Sequence, residues 1–182
     1  MRQAFPGVAA GIFLAALAMH AQQTARPVPG KAEMEKLSFL VGEWTYTEKY
    51  EKSRMLPNGG EGKGTSRGRL GPGGNSVALE VEGTSPVGAV QALQIFTWDV
   101  RAKVYKCYSF SSDGPGMTED TGRWENEELI FESTIEPAPA VRVTLRRVYK
   151  NIKPDSFTIQ ILSGQEGAEL ALFDTIQVKR KK

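Results

Sequence analysis

The chain has one histidine, one cysteine and almost no net charge, and each scarcity excludes something. The histidine, His20, lies in a leader expected to be removed. A mature protein without imidazole lacks the commonest metal ligand, the commonest general base and the usual pH switch near neutrality. Ser-His, Cys-His and histidine-ligated haem chemistry are therefore excluded. Lone Cys107 excludes an internal disulfide, so stability must come from a packed core. It sits in the strand-like run Val104–Phe110 and reads as a buried, inert thiol, with Lys106 pointing to the opposite face.

Met1–Ala21 reads as a secretory signal peptide. Arg2 forms a minimal basic region, Phe5–Leu17 is nearly all apolar or small, and cleavage is placed after Ala21 or Ala18. The run is too short for a spanning helix, and no cysteine follows it for lipid attachment, so no stable membrane anchor is expected after cleavage. The product is expected to be periplasmic or extracellular. Losing Arg2 leaves 22 basic residues, one fewer than the 23 of the whole chain, against 21 acidic ones. A surface near +1 does not favour nucleic acid or anionic membrane, and the basic end Lys179–Lys182 reads as a solvated tail.

After the leader, residues 22–30 read as a flexible spacer with Pro27, Pro29 and Gly30, and residues 31–182 as one domain. Met34, Leu37, Leu40 and Val41 share one side of a short helix over Lys31–Leu40, which Gly42 stops. From Glu43 the apolar period becomes two. Trp44, Tyr46 and Tyr50, then Val77, Leu79 and Val81, and later Val141, Val143 and Leu145 each alternate with polar residues. This is the pattern of half-buried antiparallel strands. Gly- and Pro-rich turns at Gly71–Asn75, Ser85–Gly88, Asp113–Gly116, Pro137–Pro139, Lys153–Asp155 and Gly164–Gly167 separate the runs, and Glu125–Glu128 makes the tightest one. Asn58–Gly68, rich in glycine and charge, reads as a long mobile hairpin or an edge. The pattern gives an all-β fold: an antiparallel up-and-down barrel of about ten strands with a short N-terminal helix over one mouth. A β-sandwich is the alternative.

Leu37-Ser38-Phe39-Leu40-Val41-Gly42-Glu43-Trp44 resembles the L-x-x-L-x-G-x-W opening of the bacterial family known as domain of unknown function 1579. Thr97-Trp98-Asp99, Gly122–Leu129 and Arg147-Val148-Tyr149-Lys150 leading to Asp155-Ser156-Phe157 fit the same pattern. The resemblance implies a lipocalin-like, calycin-type barrel, frequently exported, with no agreed activity. The related nitrobindins hold haem through a histidine near the C-terminus. Ala171–Lys179 has none, and Tyr46 and Glu48 stand where the nitrobindin-type opening has glycines. No haem or other cofactor is expected.

Candidate ligand-binding residues follow from shared strand faces. Glu48 lies with Trp44, Tyr46 and Tyr50, and Arg147 with Val143, Leu145 and Tyr149. If these faces point inward, a carboxylate and a guanidinium enter the barrel, and each needs a partner. Arg147 suits a ligand carboxylate or phosphate, with Tyr46 and Tyr149 adding hydroxyls. The competing reading is that Glu48 and Arg147 lie solvated near a mouth or pair with each other. Trp44, Trp98 and Trp124 read as pocket wall or as core packing. Glu119-Asp120 and Asp113, placed in a glycine-rich turn, lack a calcium-loop pattern, and Gly59–Thr65 lacks the spacing of a phosphate loop, so no metal or nucleotide site is expected. Three functions remain: a non-catalytic carrier of a small, partly apolar or anionic ligand, a cell-envelope interaction module with a filled barrel, or a small-molecule enzyme using Glu48 as acid or base.

Overall fold

In the computed structural model, residues 29–182 are described, apart from Met55 and Pro115. The leader and most of the spacer lie outside the described residues. Ten strands follow one another: β1 (Gly42–Tyr50), β2 (Gly60–Leu70), β3 (Ser76–Ser85), β4 (Gly88–Asp99), β5 (Val104–Ser111), β6 (Met117–Glu125), β7 (Glu128–Ala138), β8 (Val141–Lys153), β9 (Ser156–Gln165) and β10 (Ala171–Arg180). Each pairs antiparallel with its chain neighbours, and β10 returns to β1 from Trp44↔Arg180 to Tyr50↔Asp174. The meander is thus a closed ten-stranded barrel, and closure leaves no unpaired sheet edge.

The expected helix over Lys31–Leu40 is shorter than its apolar spacing suggests. Helix α1 covers Lys31–Glu35, and a single 3₁₀ turn covers Ser38–Leu40. The break falls at Leu37 (φ −90°, ψ 4°), and the N–H of Leu40 bonds back only three residues to the Leu37 carbonyl. This bend lets Met34, Leu37 and Leu40 all enter the barrel mouth, where each is buried. Burial of three large apolar side chains, at roughly 1.5–3 kcal/mol each, outweighs continuation of a five-residue helix.

The segment Asn58–Gly68 is neither a mobile hairpin nor an edge. Its second part is the bulk of β2, paired on both sides. Glycine alternates with charge because the glycines face inward and the charges face solvent. The cross-strand register explains the choice: Tyr50 opposes Gly60, Glu48 opposes Gly62, Tyr46 opposes Gly64 and Trp44 opposes Ser66. Large side chains on β1 fill the space that β2 leaves empty. A Cβ at Gly64 would stand 2.1 Å from the Glu82 carbonyl oxygen and 2.6 Å from the Tyr46 hydroxyl. We expect Gly64→Ala to lower stability by about 2–3 kcal/mol through overpacking, read as a lower urea midpoint. Gly114→Ala, with nothing within 4 Å of the new methyl, is the control and leaves the midpoint unchanged.

The core is densest at the helix-covered end and reaches up to Tyr46, Leu79 and Cys107, where the chamber wall begins. Trp44, Val77, Phe96, Tyr105, Leu129, Phe131, Tyr149, Phe157 and Val178 pack there against the plug of Met34, Leu37 and Leu40. Phe39 meets Trp124, Tyr149 and Phe157 edge-on at 6.3, 6.0 and 5.3 Å between centroids. The plug is pinned by polar contacts as well. The Tyr105 hydroxyl donates to the Glu33 carboxylate at 2.8 Å, and Trp44 Nε1 donates to the Leu40 carbonyl at 3.2 Å.

Candidate functional site

Toward the other end the inner wall changes character. Moving away from the plug, the inward positions become Tyr46, Glu48 and Tyr50 on β1, Gln94 on β4, Cys107 and Ser109 on β5 and Asp120 on β6. Ser133 on β7, Arg147 and Leu145 on β8, Ile159, Ile161 and Ser163 on β9, and Ile176 and Asp174 on β10 complete the ring. Arg147 is central in β8 and faces across the barrel, yet 18% of its side chain remains accessible to water. Inward-facing Tyr50, Ser109, Ser133, Leu145, Ile161 and Ser163 are likewise only partly buried, so this half is an open chamber rather than a filled core.

Both charges expected inside are there, on separate walls. Arg147 is not paired with Glu48. Its Nη2 binds Asp120 Oδ2 and its Nη1 donates to the Tyr149 hydroxyl at 3.4 Å. Asp120 does not lie in a turn, as its glycine-rich surroundings suggest. It belongs to β6, opposite Cys107, and is 4% exposed. Outward-facing Glu119 takes Lys106 at 2.7 Å, so alternation alone separates a surface ion pair from an interior one. Burial opposes the Arg147 charge, but the facing Tyr149, Cys107 and Asp120 outweigh it, and the guanidinium is held above its ordinary pKa. Burial also pushes the Cys107 thiol up despite Arg147 nearby, which suits an unreactive group.

The wall at β10 and β1, two and three strands from β8, carries carboxylates without a base. The Tyr50 hydroxyl donates to Glu48 Oε2 at 2.8 Å. Asp174, paired across the sheet with Tyr50, is 1% exposed, and its Oδ1 has no hydrogen-bond partner. Asp174 shares the parity of Ile176 and Val178, so alternation along β10 carries it inward; the bulge between Leu172 and Asp174 lies before it. Burial raises Glu48 above the usual carboxylate range, while the Tyr50 hydrogen bond pulls it back. Burial, then the neighbouring Glu48, pushes Asp174 up to about 7. Burial and the same two carboxylates raise the Tyr46 hydroxyl to about 12.

This has a consequence for stability. Between the ordinary Asp value of 3.8 and about 7, the folded barrel holds a proton on Asp174 that the unfolded chain has released. Stability therefore falls as pH rises through that window. From pH 5 to pH 8 we expect a loss on the order of 2 kcal/mol in urea denaturation. Asp174→Asn should flatten most of that slope and stabilise the barrel at pH 8.

Of the five expected site residues, the structure brings four to the chamber wall or its floor: Tyr46, Glu48, Arg147 and Tyr149. Tyr149 is wholly buried at the floor and reaches the chamber through its hydroxyl on Arg147. Trp44 lies deeper, at the packed end, fully buried against Phe157 with Arg180 over its ring at 4.2 Å. A depression of about 780 Å³ lies along β10, β1 and β2, and Glu48 and Gly62 are part of its lining. Most of its lining is outward-facing and of mixed charge, including Thr47, Lys49, Glu61, Lys63, Thr175 and Gln177. Among the described residues, no group of three His, Cys, Asp or Glu side chains is arranged to hold a metal, and no helix is long and apolar enough to cross a membrane.

No family model matches the chain, and no curated protein matches it in sequence. Solved structures match its fold. Rv2717c from M. tuberculosis superposes with a TM-score of 0.59 at 14% identity, over 82% of this chain and 97% of that one. The S-type phycobiliprotein lyase CPES from Guillardia theta gives 0.55 at 11% identity, over 86% and 94%. At these identities the likeness shows a lipocalin-like ten-stranded barrel and carries no activity across.

Proposed function

We propose that the chain is an exported, non-catalytic binding protein that takes a small, partly apolar molecule into the open half of its barrel. One observation carries this reading. The barrel is packed at one end only, and the other half is a water-accessible chamber lined by both aliphatic and polar side chains. A protein needing only stability has no use for a second half with buried charges, because well-packed apolar residues would serve it better. Export and kinship with domain of unknown function 1579 rest on the sequence motifs alone, since no family model matches the chain. Arg147 would meet a ligand anion only in competition with Asp120, so its part in binding is secondary to shaping the chamber.

A second reading rests on the outer surface. Leu93, Phe110 and Met117 oppose one another across β4, β5 and β6 and are 37%, 43% and 50% exposed. This apolar row would suit an interaction module of the cell envelope.

Native mass spectrometry of the protein isolated from the cells that make it separates the two. A non-covalent mass lost on denaturation supports the carrier. A bare barrel whose partner capture is lost on Phe110→Ser supports the interaction module. The N-terminus found on the same sample tests export: processing after Ala18 or Ala21 is expected, and an intact leader would overturn it.

A further inference from the structure

The chamber wall at β1 and β10 has an uncompensated chemistry. Glu48 and Asp174 both face inward, and no ion pair among the described residues involves either of them. Glu48 receives one hydrogen bond, from Tyr50. Asp174 is 99% buried and presents Oδ1 with no partner. A buried carboxylate oxygen left bare is costly, and retaining one calls for a group that comes and goes. The guanidinium of Arg147 does not supply it: it stands two strands away, across Ile161, and is bound to Asp120.

The surroundings define what would fit. Tyr50 stacks edge-on with Phe173 at 5.8 Å, and Tyr46 lies one inward position below Glu48. The aliphatic side chains Ile159, Ile161 and Ile176 continue the wall toward the floor. Aromatic faces beside carboxylates attract a weakly hydrated cation. A hard metal ion instead requires a shell of oxygens, which aromatic rings and isoleucines do not provide. We propose that Glu48, Tyr50 and Asp174 bind the charged end of a small organic cation, an ammonium or amidinium, whose apolar part lies along Ile159, Ile161 and Ile176. The proposal deepens the carrier reading and rests on it. Without the cation, the carboxylate corner keeps a proton in its place. Its occupant therefore competes with protons, and the groups that set this competition are Tyr46, Glu48 and Tyr50 on β1 and Asp113 from the turn after β5. The facing residues of β9, Ile159 and Ile161, carry no charge.

Three probes of matched shape test it by NMR titration of the full mature chain: 2-phenylethylammonium, neutral 2-phenylethanol and anionic 3-phenylpropionate. The expected result is preference for the ammonium, stronger at pH 8 than at pH 6. Its affinity should fall about tenfold or more in Asp174→Asn and in Glu48→Gln, with phenylethanol unaffected. Asp174→Asn is the safer of the two variants, since it removes a strained charge without changing shape. Equal or better binding of the alcohol or the carboxylate would overturn the cation site and leave the carrier reading standing. Ammonium binding that neither variant weakens would likewise overturn it, placing the probe elsewhere. Binding of none of the three, with the chain folded, would overturn the cation site, and the carrier reading would stand or fall on native mass spectrometry.

Discussion

Arg147→Ala is expected to destabilise the barrel by about 3 kcal/mol, a large part of the stability of a domain this size. The change leaves Asp120 buried, charged and without its partner, and it also removes the donor to the Tyr149 hydroxyl. Breaking a buried pair typically costs 3–5 kcal/mol, and the water reaching Arg147 puts this one at about the lower end of that range. Removing both charges is different. An Asp120→Val/Arg147→Leu double variant should lie close to the wild type, because apolar replacement of a buried pair is often neutral. Urea midpoints of the single and double variants give the coupling directly. A single variant as stable as the wild type would show that Asp120 does not depend on Arg147, and that the guanidinium is held for a ligand after all.

Trp44→Ala should have an effect at least as large, about 3–5 kcal/mol. Trp44 has no exposure, packs edge-on against Phe157 at 5.2 Å and ties the plug to the barrel through its bond to the Leu40 carbonyl. For a domain of this length the loss corresponds to a drop in Tm on the order of 10 °C. Trp44→Phe keeps the ring contact and loses only the hydrogen bond and part of the volume, so it should recover most of the difference. Thermal melts of the three proteins check this. A ligand-binding loss in Trp44→Ala without a change in Tm would contradict the placement of this residue in the packed end.

The barrel was legible because the period of two persists through every strand whose inner face is apolar. Trp44, Tyr46 and Tyr50, or Val143, Leu145 and Tyr149, place their strands and the inward side of each. The strand β2 was not legible by that rule, since its inward residues are glycines with no hydropathy of their own. Its signal is cross-strand: small residues where β1 is largest, a relation that only a register reveals. The site divides in the same way. Glu48 and Arg147 stand on alternating apolar strands and could be assigned to the interior from the sequence. Of their neighbours, Asp120 could not, since it sits among residues that read as a turn, whereas Asp174 keeps the parity of Ile176 and Val178 and is placed by the same alternation once β10 is recognised. The reading of Arg147 as an anion site followed from seeing the arginine without Asp120. The acidic corner follows once Asp174 is set beside Ile176 and Val178 on the inner face of β10.

The chamber itself is tested most directly by its openness. In a Cys107→Ser background, Ser133→Cys places a near-isosteric thiol on the inner wall opposite Leu145, and Ser112→Cys places one on the exposed turn after β5. Iodoacetamide should alkylate Cys at 133 in the native protein at a rate comparable with that at 112, and 2-phenylethylammonium should slow the first without touching the second. Labelling at 133 that appears only on unfolding would mean a filled barrel, and no chamber for any ligand to enter.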